Sequence, residues 1–165
     1  MEIGATKLVN DIKADKKIDV ADRSKLQELT KEILKDGKVD KKEAEALKKL
    51  FTDDKTGKAI KFAADDPVRK DVEELFDMIG FNADLKELKK EDISNLLTGM
   101  LSTCKTGDLS ELQDKVMNFV QSNNSFSPKQ KDTIKFEIEK RTDELQNADP
   151  ESRTKIFAEI IAKSC

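Results

Sequence analysis

The chain has 165 residues, of which 31 are Lys or Arg and 34 are Asp or Glu, and it contains no His, Trp or Tyr. The lack of histidine excludes Ser-His-Asp and Cys-His catalytic pairs, His-coordinated zinc and imidazole pH switches. The charges are divided almost evenly between the two signs, which favours solvated helix faces over a nucleic-acid surface, and the apolar content is too high for an intrinsically disordered chain.

Apolar residues recur at helical spacing along most of the chain, and this periodicity predicts an all-α protein. Six Gly and three Pro residues are too few for a turn-rich β-sandwich. We expect a compact bundle of about eight short amphipathic helices, over residues 5–14, 20–35, 41–51, 67–79, 91–104, 108–122, 128–146 and 150–163. Two shorter helical turns are predicted near residues 58–64 and 83–89.

The three prolines mark helix starts, because each follows a side chain that caps a helix N-terminus well. An Asp or Ser oxygen accepts the free backbone N–H groups of the first turn, and Pro at the first helical position loses no hydrogen bond. We therefore expect helices to begin at Asp66-Pro67, Ser127-Pro128 and Asp149-Pro150.

Further residues predict where other helices begin and end. Asp40 followed by Glu43 resembles a capping box, in which each side chain accepts the backbone N–H group of the other residue. Gly37 and Gly80 lie where a helix would end in a left-handed glycine cap.

Residues 133–139 alternate apolar and polar side chains, which is typical of a strand. We nevertheless expect a helix here, because the start at Ser127-Pro128 opens a long amphipathic pattern. A helix leaves Phe136 off the main apolar stripe. Phe136 is therefore a candidate for packing against a second element or a partner.

Residues 52–66 have the weakest apolar periodicity and contain Gly57, so they indicate a boundary. We expect an N-terminal three-helix unit with a helix–loop repeat at residues 1–52, a connecting segment at 53–66 and a C-terminal helical bundle at 67–165. The alternative is one continuous domain.

An internal repeat with a spacing of 21 residues contains the one motif that could hold a metal ion. Residues 15–22 and 36–43 both read Asp-x-Lys-(Ile/Val)-Asp-x-x-acid, and each lies between two predicted helices. The second copy matches the back half of an EF-hand loop, with Asp36, Asp40 and Glu43 at loop positions 5, 9 and 12.

Two interpretations of this loop stay open. In the first, Asp36 and Gly37 close one helix and Asp40 caps the next, which requires no ion. In the second, Asp36, Asp40 and Glu43 form a weak Ca²⁺ or Mg²⁺ site in a degenerate EF-hand-like module, although Leu34 at the third loop position cannot ligate a cation. The first interpretation is favoured, and no other cofactor is expected.

The two cysteines indicate neither a disulfide scaffold nor a redox or metal motif. Cys104 lies in an apolar helical run, which predicts a buried structural thiol. Cys165 is the last residue and is expected to be exposed, where it could form a disulfide between chains.

These features predict a non-enzymatic, structural or regulatory protein that binds another protein, as an adaptor, a regulator or a component of a particle. A cation-responsive module and a helical carrier of a small apolar ligand are the alternatives. The expected partner is a protein, a second copy of the chain included, and not a nucleic acid. The candidate contact surface lies in the C-terminal half and consists of Phe126, Phe136, Ile156, Phe157, Ile160 and Ile161.

The first residues, Met-Glu-Ile-Gly-Ala, lack the basic and apolar regions of a signal peptide. No apolar stretch approaches the roughly 18 residues that a membrane-spanning helix needs. We therefore expect no membrane insertion and a soluble protein that is cytoplasmic by default. Export without a signal and packaging in a particle are the alternatives.

Overall fold

Helices make up the regular structure of the computed structural model, which describes residues 4–14, 18, 20–35, 39–52, 62 and 65–165. Within these ranges short 3₁₀-helices precede α2 and α5, at Val20–Asp22 and Leu85–Glu87. The α-helices there are α1 (Gly4–Lys13), α2 (Arg23–Leu34), α3 (Lys41–Phe51), α4 (Pro67–Asn82), α5 (Lys90–Ser102), α6 (Leu109–Ser122), α7 (Pro128–Lys140), α8 (Thr142–Asn147) and α9 (Pro150–Ser164). The predicted all-α fold is confirmed.

The helices pack around one continuous cluster of buried apolar side chains. α9 packs against α5, α6 and α7, and α5 also packs against α3 and α4. α1 packs against α2 and α3, and α2 in turn packs against α4. The helices of the proposed unit 1–52 therefore contact those of 67–165, and the division into two units stays a prediction. The connecting segment 53–66 and the turn expected near 58–64 lie mostly outside the described residues.

The helix caps predicted at the three prolines are confirmed. The side chains of Asp66 and Asp149 each accept a backbone N–H bond from the first turn, at 3.0 Å and 2.8 Å. At α7, the Gln130 backbone N–H donates to Ser127 Oγ at 3.1 Å, and the Ser127 backbone N–H donates to Gln130 Oε1 at 2.8 Å. Local polar chemistry therefore determines where these three helices begin.

Residues 133–139 are helical, as expected, and belong to α7. The single helix predicted over 128–146 is instead divided into α7 and α8 at Arg141, where φ is −103° and ψ is 17°. The hydroxyl of Thr142 donates to the carbonyl oxygen of Glu139 at 2.8 Å and shares this hydrogen bond with the carbonyl oxygen of Ile138 at 3.3 Å. Such a side-chain bond competes with the backbone donors that would continue the helix.

The prediction of a glycine cap at Gly80 is wrong. α4 continues beyond Gly80 for two residues, and the glycine is buried inside the helix. A Cβ atom at this position would lie 2.5 Å from Met100 Sδ and 3.4 Å from Phe119 Cδ1. Gly80 therefore permits close packing instead of a turn. Gly37 lies outside the described residues.

Candidate functional site

Five of the six predicted contact residues lie in the core. None of the five is more than 8% exposed, and α9, which carries four of them, packs against α5, α6 and α7. This corrects the placement expected from the sequence, because the chain's own helices cover the apolar stripe of α9. An apolar helix stripe has the same pattern whether it meets the core or a partner. The buried five are Phe126, Ile156, Phe157, Ile160 and Ile161.

Phe136 is the predicted contact residue that lies on the surface. Its side chain is 61% exposed, whereas Ile134 and Ile138 on the opposite side of α7 are buried. The expectation that Phe136 lies off the core stripe is confirmed. We use the name α7 outer face for the exposed residues Lys129, Asp132, Thr133, Phe136, Glu139 and Lys140.

A groove of about 500 Å³ lies between α5 and α9, and we call it the α5–α9 groove. Its floor consists of short side chains, which are Ser94, Thr98, Ala158 and Ala162. Its rim consists of longer charged side chains, which are Lys90, Glu91, Lys155, Glu159 and Lys163. Sequence reasoning missed this groove, because the two helices are far apart in the chain. The sequence feature that could have indicated the groove is a pair of short residues, four positions apart, on each of the two helices.

The two helices that form the groove run in opposite directions. Arg153, near the start of α9, donates from Nη1 to the carbonyl oxygen of Gly107 at 3.4 Å, and Gly107 follows shortly after the end of α5. α9 therefore begins at the end of the groove where α5 finishes. Consequently Glu91, in the first turn of α5, lies toward the same end of the groove as Lys163.

The predicted cation loop lies only partly within the described residues, because Asp36 falls outside them. Asp40 and Glu43 form the expected capping box at the start of α3. The Glu43 backbone N–H donates to Asp40 Oδ1 at 2.8 Å, and the Asp40 backbone N–H donates to Glu43 Oε1 at 3.0 Å. Within the described ranges no three His, Cys, Asp or Glu side chains come together as metal ligands. A cation site that includes Asp36 stays a prediction.

Four charged side chains form a half-buried cluster between α4 and α6. Lys115 Nζ lies 2.9 Å from Asp77 Oδ2 and 3.2 Å from Glu73 Oε2. Arg69 Nη1 lies 3.5 Å from Glu73 Oε2 and donates to the carbonyl oxygen of Thr103 at 2.8 Å. Burial raises the pKa of Asp77 above its ordinary value. The hydrogen bond and the positive charge of Lys115 lower this pKa, but by less than burial raises it. Two cations and two carboxylates thus balance one another and join the two helices.

Cys104 is buried, as predicted. Burial, together with the nearby carboxylate of Glu111, raises the pKa of its thiol to about 12. The thiol is therefore protonated at neutral pH, whereas the thiolate is the nucleophilic form. Cys165 is exposed.

Comparison with known proteins assigns the chain to no family. No family model matches it, and neither a curated protein nor a solved structure does so. Among the helices of the described ranges, none is long and apolar enough to cross a membrane.

Proposed function

We propose that this protein is a non-enzymatic helical protein that works by binding a protein partner, as an adaptor, a regulator or a component of a particle. The observation that carries the proposal is the 61% exposure of Phe136 on the α7 outer face. Burying a Phe side chain stabilises a protein or a complex by about 1.5–3 kcal/mol. In the folded single chain most of the Phe136 ring stays in water, so most of this stabilisation is not obtained. A partner that covers the ring would gain it.

The surroundings of Phe136 support a contact role. Ile134 and Ile138 already supply the core contacts of α7, so the fold does not depend on the Phe136 ring. Asp132, Glu139 and Lys140 lie around the ring on the same face of the helix. An aromatic anchor within a polar rim is the usual composition of a binding hot spot.

The states of the buried reactive groups support a non-enzymatic role. The Cys104 thiol is protonated at neutral pH, because burial raises its pKa to about 12. The carboxylates of Glu73 and Asp77 are bound to Lys115. Catalysis by such groups would require a free base or an activated nucleophile. Their contacts favour a structural role in joining the helices.

The contacts of the capping box and of the core phenylalanines favour the interaction role over the two alternatives. A cation-responsive loop would need Asp40 and Glu43 as ligands, and each already accepts the backbone N–H group of the other. A carrier of a small apolar ligand would need large apolar side chains around an enclosed space. Phe76, Phe119 and Phe157 are instead fully buried in the packed core.

The test of this function compares three baits in a cross-linked pull-down from the cells that produce the protein. The baits are the natural chain, Phe136→Ser and the matched control Thr133→Ser, which alters the same face without removing the ring. We expect the natural chain and the control to capture the same partner, and Phe136→Ser to capture it about tenfold less, the change that about 1.4 kcal/mol produces.

The three baits should have the same thermal midpoint, because both positions are exposed and substitutions at such positions change stability by about 0.5 kcal/mol or less. Equal capture of the same proteins by all three baits would contradict the proposed function.

A further inference from the structure

We infer that the α5–α9 groove binds the α7 outer face of a second copy of this chain. This inference rests on the proposed function and identifies the partner as the chain itself. The two surfaces are complementary in kind, because one is a helix face with an exposed aromatic ring and the other is a groove with a floor of short side chains. Docking of a helix into a groove is a common mode of protein recognition.

The shape of the groove suits Phe136. Short side chains at Ala158 and Ala162 on α9, and at Ser94 and Thr98 on α5, allow a third helix to approach closely, since the distance between helix axes depends on the side chains at the contact. The groove has a volume of about 500 Å³ and is open to solvent, so an aromatic ring can lie on its floor between the charged rims.

The charges along the two surfaces have matching spacing. Asp132 and Glu139 are seven residues apart, so they lie on one edge of α7 at a separation of about 10.5 Å along its axis. Lys155 and Lys163 are eight residues apart on the rim of α9, a separation of about 12 Å. A docked α7 that runs parallel to α9 therefore places Asp132 beside Lys155 and Glu139 beside Lys163.

The right-handed turn of the helix determines this orientation. When α7 lies face down and parallel to α9, its acidic edge lies over α9 and its other edge, which carries Lys140, lies over α5. Because α5 runs antiparallel to α9, Glu91 lies at the end of the groove that receives Lys140. The reverse orientation would place Lys140 over the lysines of α9, so the charges select one direction.

Some rim charges weaken this match. Glu159 lies between the two lysines of α9, but it is 3.8 Å from Arg141 Nη1, which offsets its charge. Lys155 lies 3.9 Å from Glu151 in its own chain, and exposed pairs of this kind contribute little. Glu91 Oε1 lies 3.9 Å from Lys48 Nζ, and Lys90 precedes it in the chain, so both lysines weaken its attraction for Lys140. The contacts to Lys155 and Lys163 are therefore the charge pairs that select the direction of docking, whereas burial of the Phe136 ring supplies most of the binding free energy.

This contact joins two different surfaces, so it does not close on itself as a symmetric dimer does. Each copy offers its α7 outer face to one neighbour and its α5–α9 groove to another. Contacts of this type produce rings or open chains. A concentration-dependent series of species beyond the dimer is therefore expected.

The test uses two charge-reversed forms of the full chain in sedimentation velocity. The face-reversed form carries Asp132→Lys and Glu139→Lys, and the groove-reversed form carries Lys155→Glu and Lys163→Glu. Each form alone should associate at least about tenfold more weakly than the natural chain. An equimolar mixture should regain association, because each reversed surface then meets its complement. The four positions are exposed, and unchanged circular dichroism and thermal midpoints serve as the control for folding.

A natural chain that stays monomeric up to about 1 mM, or a mixture that associates no better than its components, would overturn the inference. The proposed function would survive that result if the pull-down still shows a different protein whose capture depends on Phe136. Both proposals would fail together if neither self-association nor a Phe136-dependent partner is found.

Discussion

Gly80 occupies the interior of α4, where a glycine costs about 1 kcal/mol relative to alanine. The reason lies in a neighbouring helix, because Met100 Sδ would be 2.5 Å from a Cβ atom at this position. Both Gly80 and Met100 are buried. Gly80 therefore lowers the helix propensity of α4 but allows α4 and α5 to pack closely.

We expect Gly80→Ala to lower the free energy of unfolding by about 1 kcal/mol, because overpacking costs about 1–3 kcal/mol and alanine returns about 1 kcal/mol of helix propensity. Denaturant unfolding measures this change. In a double-mutant cycle, Met100→Ala should cost less in the Gly80→Ala background than in the natural chain, since it makes room for the new methyl group. Additive effects, or a stabilised Gly80→Ala, would contradict the close contact.

At the scale of elements, α9 holds the C-terminal part of the bundle together. Its side chains Phe157 and Ile161 are fully buried, and Ile156 and Ile160 are nearly so. Each such side chain contributes about 1.5–3 kcal/mol on burial. Their sum is comparable to the about 5–15 kcal/mol by which a whole domain is stable.

Truncation after Asn147, which removes α9, should therefore abolish the cooperative thermal transition and most of the helical circular dichroism. The matched control removes only Cys165, which is exposed and follows the end of α9, and it should unfold as the natural chain does. A truncated chain that retains a cooperative transition would show that α9 is not part of the core, and its apolar stripe would again be a candidate contact surface.

The predictable parts of this molecule are those determined by neighbours in the chain. Ser127-Pro128 and Asp149-Pro150 begin helices because a cap and its N–H partners lie within one turn. Gly80 could not be predicted in the same way, since its role depends on Met100, twenty residues away in the sequence. Likewise, the sequence alone indicates both the apolar stripe of α9 and the Phe136 ring as candidates for contact with a partner. Only tertiary packing separates the buried stripe from the exposed ring.

At the scale of the whole molecule, the net charge opposes association of identical chains only weakly. The net charge is only −3, with 31 basic and 34 acidic residues, so repulsion between copies is small. The attraction that we infer acts between the local acidic edge of α7 and the lysines of α9. Interactions between exposed charges of this kind are weakened by salt, because the screening length falls as ionic strength rises.

Sedimentation velocity of the natural chain over a range of concentrations, at about 0.05 M and about 0.5 M salt, tests this account most directly. We predict that the mean sedimentation coefficient rises with concentration at low salt and that the rise is reduced at high salt. A single monomeric species at every concentration and both salt levels would contradict the docking of α7 into the α5–α9 groove.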